Sequence, residues 1–484
     1  MKKAILIIIA FNLLRLIILP FMGMMPQDAY YFFYSENLSL SYFDHPPMVA
    51  YMLHGFSLLF GKSVIGVKLS DFIISVGIQL VFFKLSSKII RSQKKYISWI
   101  LLASTIMIST TSLVTTPDVP LLLFWGLSLL TLYTAIFERK NWYWIWAGIF
   151  MGLAFDSKYT ALAIPAGLFL FLIFSKKYRG LLISPWPYIS SILLVLMSVP
   201  VIIWNVNNDF ASFAFQSAER AETISEITIQ NFFGLIGTQF FLLTPVLFVA
   251  IWWVVIKYVK RIFKKPNQIN PEIWFLLSFL LPMFIGFYIL SFFLWVKMNW
   301  LFPTYITGII LVGKLIKEKW IKWQIVASVI LHILFFIQVA FYVIPIKSDD
   351  TWFGWKELAN ETKELQKTHP NTFVFSDDNY KTTAQLMFHL DKKIYGRNII
   401  GRPALQYDYV GDDLDELIGM DAIFIDSDKH IKNDEKLGST NIYIKDYFSS
   451  IEELEPILIK KRGKTLRKFW VYYCKDYKGI KNKY

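Results

Sequence analysis

The chain has 484 residues, of which 55% are hydrophobic, 18% aromatic and only 18% charged, an apolar share above that of an ordinary soluble domain. That composition excludes disorder, collagen and coiled coil, and the single cysteine, Cys474, can form neither an internal disulfide nor a cysteine-based zinc site. The formal net charge of +14 is a surplus that a multispanning protein gathers on its cytoplasmic loops, so it does not call for a nucleic-acid partner.

Apolar stretches near bilayer-crossing length recur from the N-terminus to about Ile346, and eleven spans are predicted. The first, Ala4 to Met22, follows Lys2 and Lys3 without a small-x-small cleavage site and reads as a retained anchor. The next are Val64 to Phe83, Ile97 to Val114, Val119 to Phe137, Trp142 to Phe155, Tyr159 to Phe174 and Leu181 to Trp204. Phe232 to Ile256, Ile273 to Leu294, Leu301 to Val312 and Trp323 to Ile344 complete the series. Trp142 to Phe174 is short for two crossings at roughly 20 residues each. A hairpin nevertheless puts Asp156 and Lys158 at its tip instead of in mid-bilayer. Gly148 and Gly152 form a G-x-x-x-G that lets the first helix of this hairpin approach a neighbour closely.

Basic clusters fall on every second loop: Lys2-Lys3, Lys88 to Lys95, Arg139-Lys140, Lys176 to Arg179, Lys257 to Lys265 and Lys314 to Lys322. The positive-inside rule then places the N-terminus in the cytoplasm and, with an odd span count, the C-terminus outside the cytoplasmic membrane. From Lys347 the composition changes. Trp352 to His369 reads as an amphipathic helix, and Phe373 to Ser376, Ala422 to Ile425, Ile442 to Ile444 and Phe469 to Tyr473 read as short strands. The expected organisation is a mainly α, polytopic membrane domain over 1–346 and a small soluble extracytoplasmic α/β domain over 347–484.

Acids, amides and histidines that the topology does not need collect on the outer loops. The first holds Gln27-Asp28-Ala29-Tyr30-Tyr31 and Asp44-His45-Pro46-Pro47; the second is Thr115-Thr116-Pro117-Asp118. The others hold Asp156-Ser157-Lys158-Tyr159, Trp204-Asn205 through Glu219-Arg220, and Lys297-Met298-Asn299-Trp300. Carboxylates and cations at one membrane face are what an active site for a charged, lipid-linked substrate requires. Each piece also has a plainer reading. Asp28 and Asp118 suit helix caps, Asp44-His45-Pro46-Pro47 suits a rigid turn, and Lys158 and Lys297 suit lysines snorkelling to headgroups. Asp44 with His45 offers a metal only two adjacent ligands, and no dense cluster demands one.

The stretch P-Q-D-A-Y-Y-F-F-Y-S-E-N-L-S-L-S-Y-F-D-H-P-P-M-V-A-Y resembles the first outer loop of GT-C membrane glycosyltransferases of family 39 type. These are the relatives of dolichyl-phosphate-mannose protein mannosyltransferases and lipid A aminoarabinose transferases. Similar matches are T-T-P-D-V-P at Thr115, G-L-A-F-D-S-K-Y at Gly152, W-N-V-N-N-D-F at Trp204, M-N-W-L-F-P-T-Y at Met298 and Q-Y-D-Y at Gln406. The resemblance implies a GT-C fold and inverting sugar transfer from a polyprenyl-phosphate donor to a lipid, glycan or protein acceptor at the outer face, with no metal implied. An acceptor hydroxyl needs a carboxylate base, for which Asp28 is the first candidate and Asp118 and Asp44 the alternatives. Relatives often carry two adjacent acids where this chain has Gln27-Asp28, so Asp28 matches the second. The leaving phosphate needs cations, for which Lys158, Arg220 and Lys297 are candidates. His45, Tyr159, Asn205, Asn299, Trp300, Tyr30 and Tyr31 complete the expected donor site. The rival reading is a transporter or flippase of a lipid-linked substrate. Transporters, however, place their sites near the midplane between structural repeats, and this chain shows no internal repeat.

Overall fold

The computed structural model describes residues 1–219, 227–346, 348–428 and 442–480. A helical bundle comes first: α1 Lys2–Ile18, α2 Pro26–Glu36, α3 Met48–Phe60, α4 Val64–Ile89, α5 Lys94–Ala103, α6 Ile106–Thr111, α7 Asp118–Phe137, α8 Tyr143–Phe155 and α9 Ala163–Phe174. It continues with α10 Pro185–Met197, α11 Val199–Asn207, α12 Ala211–Ala214, α13 Ile229–Leu243, α14 Pro245–Lys264, α15 Pro271–Leu290, α16 Phe302–Leu315 and α17 Glu318–Phe341. Among the described residues five helices are long and apolar enough to cross a membrane, or up to seven if each bent pair is one span. Four shorter apolar helices accompany them.

Several expected spans are broken. Ile97 to Val114 divides into α5 and α6, because Thr105 leaves the helix and its hydroxyl caps the new one at Ile108 N. Phe232 to Ile256 is not one straight span either: α13 and α14 meet at 116°. Thr244 stands between them at φ 72°, an uncommon conformation for a β-branched residue, and Pro245 opens the next helix. The glycines of α8 do bring it against α10, since a Cβ on Gly148 would lie 2.5 Å from Ser190 O and one on Gly152 2.3 Å from Met197 Cβ.

The basic loops meet at one end of the bundle. Lys88 pairs with Glu138, Lys94 Nζ donates to Lys314 O at 3.3 Å, and Lys314 lies 3.9 Å from Glu272. The outer-loop acids and amides gather at the opposite end.

Past α17 come α18 Trp355–Thr368, β1 Phe373–Phe375, α19 Lys381–Leu390, β2 Ala422–Ser427, β3 Phe448–Lys461 and β4 Lys464–Tyr477. The sheet order is β1-β2-β4-β3, with β1 parallel to β2 and both other pairings antiparallel. Ile442 to Ile444, expected as a strand, lies in a 3-10 helix, Ile442–Tyr447. The strand that fills this place is β3, and its register shifts between Leu454 and Ile457. Pro456 falls in that shift, on an edge strand where a missing N–H is tolerated.

This unit sits on the first loop. Gln385 Nε2 donates to Met24 O at 2.8 Å, Phe43 N donates to Gln406 Oε1 at 2.8 Å, and Lys62 bridges Glu36 and Asp391 at 2.6 Å each. Tyr380 and Tyr407 pack on Tyr30, and Tyr409 packs on Phe43 and Trp204.

Candidate active site

Asp28 occupies the third position of α2, where its carboxylate accepts Met25 N at 2.7 Å and so caps the helix. The same oxygen pairs with Lys68 of α4, and the other accepts Thr115 N at 2.7 Å. Both side chains of the pair are 0% exposed. Burial raises the Asp28 carboxyl above its usual range, opposed by Lys68 and the two amides. A general base must reach a substrate proton, and this carboxylate is sealed, so the expectation that Asp28 leads the catalytic candidates gives way to its capping reading. Lys68 also donates to Leu113 O at 2.6 Å, and Thr115 Oγ1 donates to Asp71 at 2.7 Å. This buried cluster thereby holds the turn that leads into α7 and Asp118.

Asp118, first residue of α7, receives Lys158 Nζ on both oxygens at 2.9 Å, and Asn299 donates to one of them. Three loops from distant parts of the chain thus meet in one contact. Lys158 does not snorkel, and Asp118 makes no side-chain cap; pairing supersedes both plain readings. The side chains are 9% and 2% exposed.

Asp44 is half-buried, accepts a hydrogen bond from Tyr34 and, through its carbonyl, one from Gln216. The His45 ring packs edge-on to Tyr31 at 5.9 Å, and its carbonyl accepts Tyr42 N at 3.2 Å. The two proline-bounded residues are tied to the Lys158 loop, since Met48 N donates to Asp156 O at 2.9 Å. Tyr159 joins the same neighbourhood, with its hydroxyl 2.7 Å from Ser212 Oγ and facing Asn205 and Asp44.

Other expected residues are structural. Tyr30 is 1% exposed within a cluster of tyrosines and cannot stack on a sugar. Asn205 is buried, donating to Val201 O at 3.0 Å and accepting Phe213 N at 3.1 Å, which fixes the end of α11. Tyr31 is nearly buried against Tyr34. Trp300 packs on Phe287 at 5.5 Å, whereas Lys297 is exposed two residues before Asn299, which contacts Asp118, and keeps its place among the candidate cations. Arg220 lies outside the described residues. Among the described residues no group of three or more His, Cys, Asp or Glu side chains is placed to hold a metal.

Sequence reasoning placed Asp156 on an outer loop but gave it no role. Its side chain is 5% exposed and one oxygen has no partner among the described residues. Burial pushes its carboxyl up to about 7. The available signal was an acid two residues before a lysine at a hairpin tip.

An apolar groove of about 360 Å³ lies between α3, α4 and α7, lined by residues that include Met48, Met52, Phe56, Pro120, Leu123 and Phe124. Two of its lining residues follow the site closely in the chain, since Met48 opens α3 just after His45 and Pro120 falls in the first turn of α7, which Asp118 begins.

A sequence model of the family Dolichyl-phosphate-mannose-protein mannosyltransferase matches residues 44–204, the segment that carries Asp44, Asp118 and Lys158. Over that third of the chain the sequence is similar to membrane glycosyltransferases of family 39 type. Lipid A galacturonosyltransferase RgtD of Rhizobium johnstonii is 23% identical to this chain over 430 residues, 84% of this chain and 87% of that protein. Its fold is that of ArnT from Cupriavidus metallidurans, with a TM-score of 0.64 at 12% identity over 97% and 98% of the two chains. The undecaprenyl phosphate complex of that ArnT gives 0.61 at 11% identity, with the same coverage. The apo Archaeoglobus fulgidus oligosaccharyltransferase shares the fold with a TM-score of 0.54 at 12% identity, over 88% of this chain and 69% of the other.

Proposed function

We propose that the protein moves a sugar from a polyprenyl-phosphate carrier to a cell-envelope acceptor, lipid A or a similar glycolipid, at the outer face of the cytoplasmic membrane. The observation that carries this reading is the meeting of Asp118, Lys158 and Asn299 at the start of α7, the helix whose next residues, from Pro120, wall an apolar groove. A carrier lipid needs both parts, a dry channel for its chain and a cation for its phosphate. The gathering of the basic loops at the other end of the bundle supports an outward-facing mouth. Under this sidedness residues 347–484 form an extracytoplasmic domain that packs over the first loop.

In the proposed mechanism, charge develops on the departing carrier phosphate as the anomeric C–O bond breaks, and Lys158 and Lys297 compensate it. Asp118, itself receiving a hydrogen bond from Asn299, holds Lys158 in place. The acceptor hydroxyl attacks from the opposite face, with inversion, and loses its proton to a carboxylate. Asp44 is assigned that role, because it is the least buried of the three expected acids and Tyr34 orients it. No proton donor to the leaving group is needed, since a phosphate leaves as the anion.

The test supplies purified protein with radiolabelled polyprenyl-phosphate sugar and lipid A. Label appearing on the acceptor, and lost in Asp44→Asn with expression and monodispersity intact, supports the reading. Translocation of the labelled lipid across a vesicle without sugar transfer would replace it with the flippase.

A further inference from the structure

The elbow between α13 and α14 is a built feature. Thr244 Oγ1 donates to Gln324 Oε1 at 2.6 Å, and Leu247 N donates to the same oxygen at 3.1 Å. Gln324 Nε2 in turn reaches Ser104 Oγ at 3.1 Å. Thr244, Gln324 and Ser104 are all fully buried, so one α17 side chain satisfies the polar groups that the bend frees. Gln324 lies six residues after Glu318, hence about 9 Å from the start of α17 at 1.5 Å per residue. The elbow therefore lies near the basic end of the bundle, and α14 sets out from there.

α14 is two-faced. Leu247, Ile251, Val254 and Tyr258 are buried, whereas Val249, Trp253, Ile256 and Phe263 are exposed and Lys257, Lys260, Arg261 and Lys264 follow in its second half. Apolar exposure beside a basic stripe is the pattern of a helix resting in a membrane interface. Between α14, the end of α16 and the start of α17 lies an apolar groove of about 680 Å³, walled by Val246, Val249, Trp253, Leu315 and Ile316. Lys317 and Lys319 line the same groove, as does Trp320, and no acid does. Glu318 stands between the lysines without lining the groove. Lys257 Nζ lies 4.9 Å from the Trp253 ring centroid, adding a third cation nearby. Lys317 is also the N-cap of α17 and makes no side-chain cap, so the first-turn amides there present further donors to an anion.

We propose that this groove is a binding site for one anionic glycerophospholipid of the leaflet that borders the basic loops. One acyl chain lies against Val249 and Trp253, and the phosphodiester sits on Lys317 and Lys319. The ligand is a bilayer phospholipid, distinct from the sugar carrier, and the site lies at the opposite end of the bundle from Lys158. Charge complementarity decides the lipid class: a zwitterionic headgroup would place a second cation among three lysines, whereas a net negative one adds attraction at each.

The experiment uses the full chain in nanodiscs and in detergent, with native mass spectrometry to count retained phosphatidylglycerol against phosphatidylcholine. Wild type is expected to retain one phosphatidylglycerol. Lys317→Gln/Lys319→Gln, at exposed positions, should weaken it by about 10–30-fold, and Ala250→Trp, which fills the groove and keeps the charges, should also release it. Both variants are checked for unchanged melting temperature. Equal retention of the two lipids by wild type, or unchanged retention in both variants, would overturn the proposal. Displacement by an equimolar amount of undecaprenyl phosphate would overturn it too, by making the groove a second carrier site.

Discussion

Two buried carboxylate–lysine pairs, Asp28 with Lys68 and Asp118 with Lys158, stand in neighbouring regions of the molecule, and the turn from Thr115 to Asp118 joins them. The first is sealed, with every Asp28 oxygen taken by a backbone amide or the lysine. The second is slightly exposed, at 9% for Lys158 and 2% for Asp118, and includes a side-chain amide from a third loop. The same chemistry thus serves architecture in one place and, in the proposed mechanism, a site in the other, and accessibility separates the two. The sealed pair sets the position of the open one.

The largest effect that can break this comparison is on rate. Asp44→Asn should slow transfer by about 10²–10⁴-fold while leaving the melting temperature within a degree or two, because it removes only a base. Initial rates with labelled donor check this, and a comparable loss of folding would move Asp44 to the architectural side. Asp28→Asn should do the reverse, costing about 3–5 kcal/mol of stability by leaving Lys68 buried opposite a neutral group. Thermal unfolding in detergent measures it. Asp118→Asn should cost less, since the Lys158 side chain is 9% exposed where that of Lys68 is 0%, and Asn299 remains beside residue 118.

Asp156 sharpens the same contrast through pH. Its carboxyl titrates at about 7 in the folded protein and near 4 when unfolded. Between those values the folded state holds a proton that the unfolded state has lost, so stability falls as pH rises through the window and levels off above it. Asp156→Asn should therefore stabilise the protein at pH 8 by on the order of 1–3 kcal/mol and leave it unchanged at pH 4. Melting curves at the two pH values decide it. The smallest effect belongs to Gln406→Ala, which frees Phe43 N and should cost about 1 kcal/mol while raising the KM for donor, since Phe43 precedes Asp44.

Much of this arrangement was legible in the sequence, and the misses share a cause. Hydropathy and basic spacing locate the helical part and its two ends because both are local in the chain. The pairing of Asp118 with Lys158 was legible only as two charged loops at one face. The sealing of Asp28 depends on Lys68 and Thr115, which are remote in sequence, so capping and catalysis read alike from the first loop alone. The 116° elbow had one local sign, Pro245, outweighed by a continuous apolar run on both sides. β3 was hidden by Glu455 and Pro456, which an edge strand accommodates with a shifted register. The strand expected at Ile442 has β propensity, but its residues turn into a 3-10 helix ahead of that edge.

The central claim, that a carrier phosphate rests at Lys158 with its chain in the α3–α7 groove, is tested most directly by photocrosslinking. A polyprenyl phosphate carrying a diazirine in its second isoprene unit, incubated with purified protein and mapped by peptide mass spectrometry, should label Met52 or Leu123, and Lys158→Ala should abolish the labelling. Labelling confined to helices α13 to α17, or undiminished in Lys158→Ala, would contradict the account.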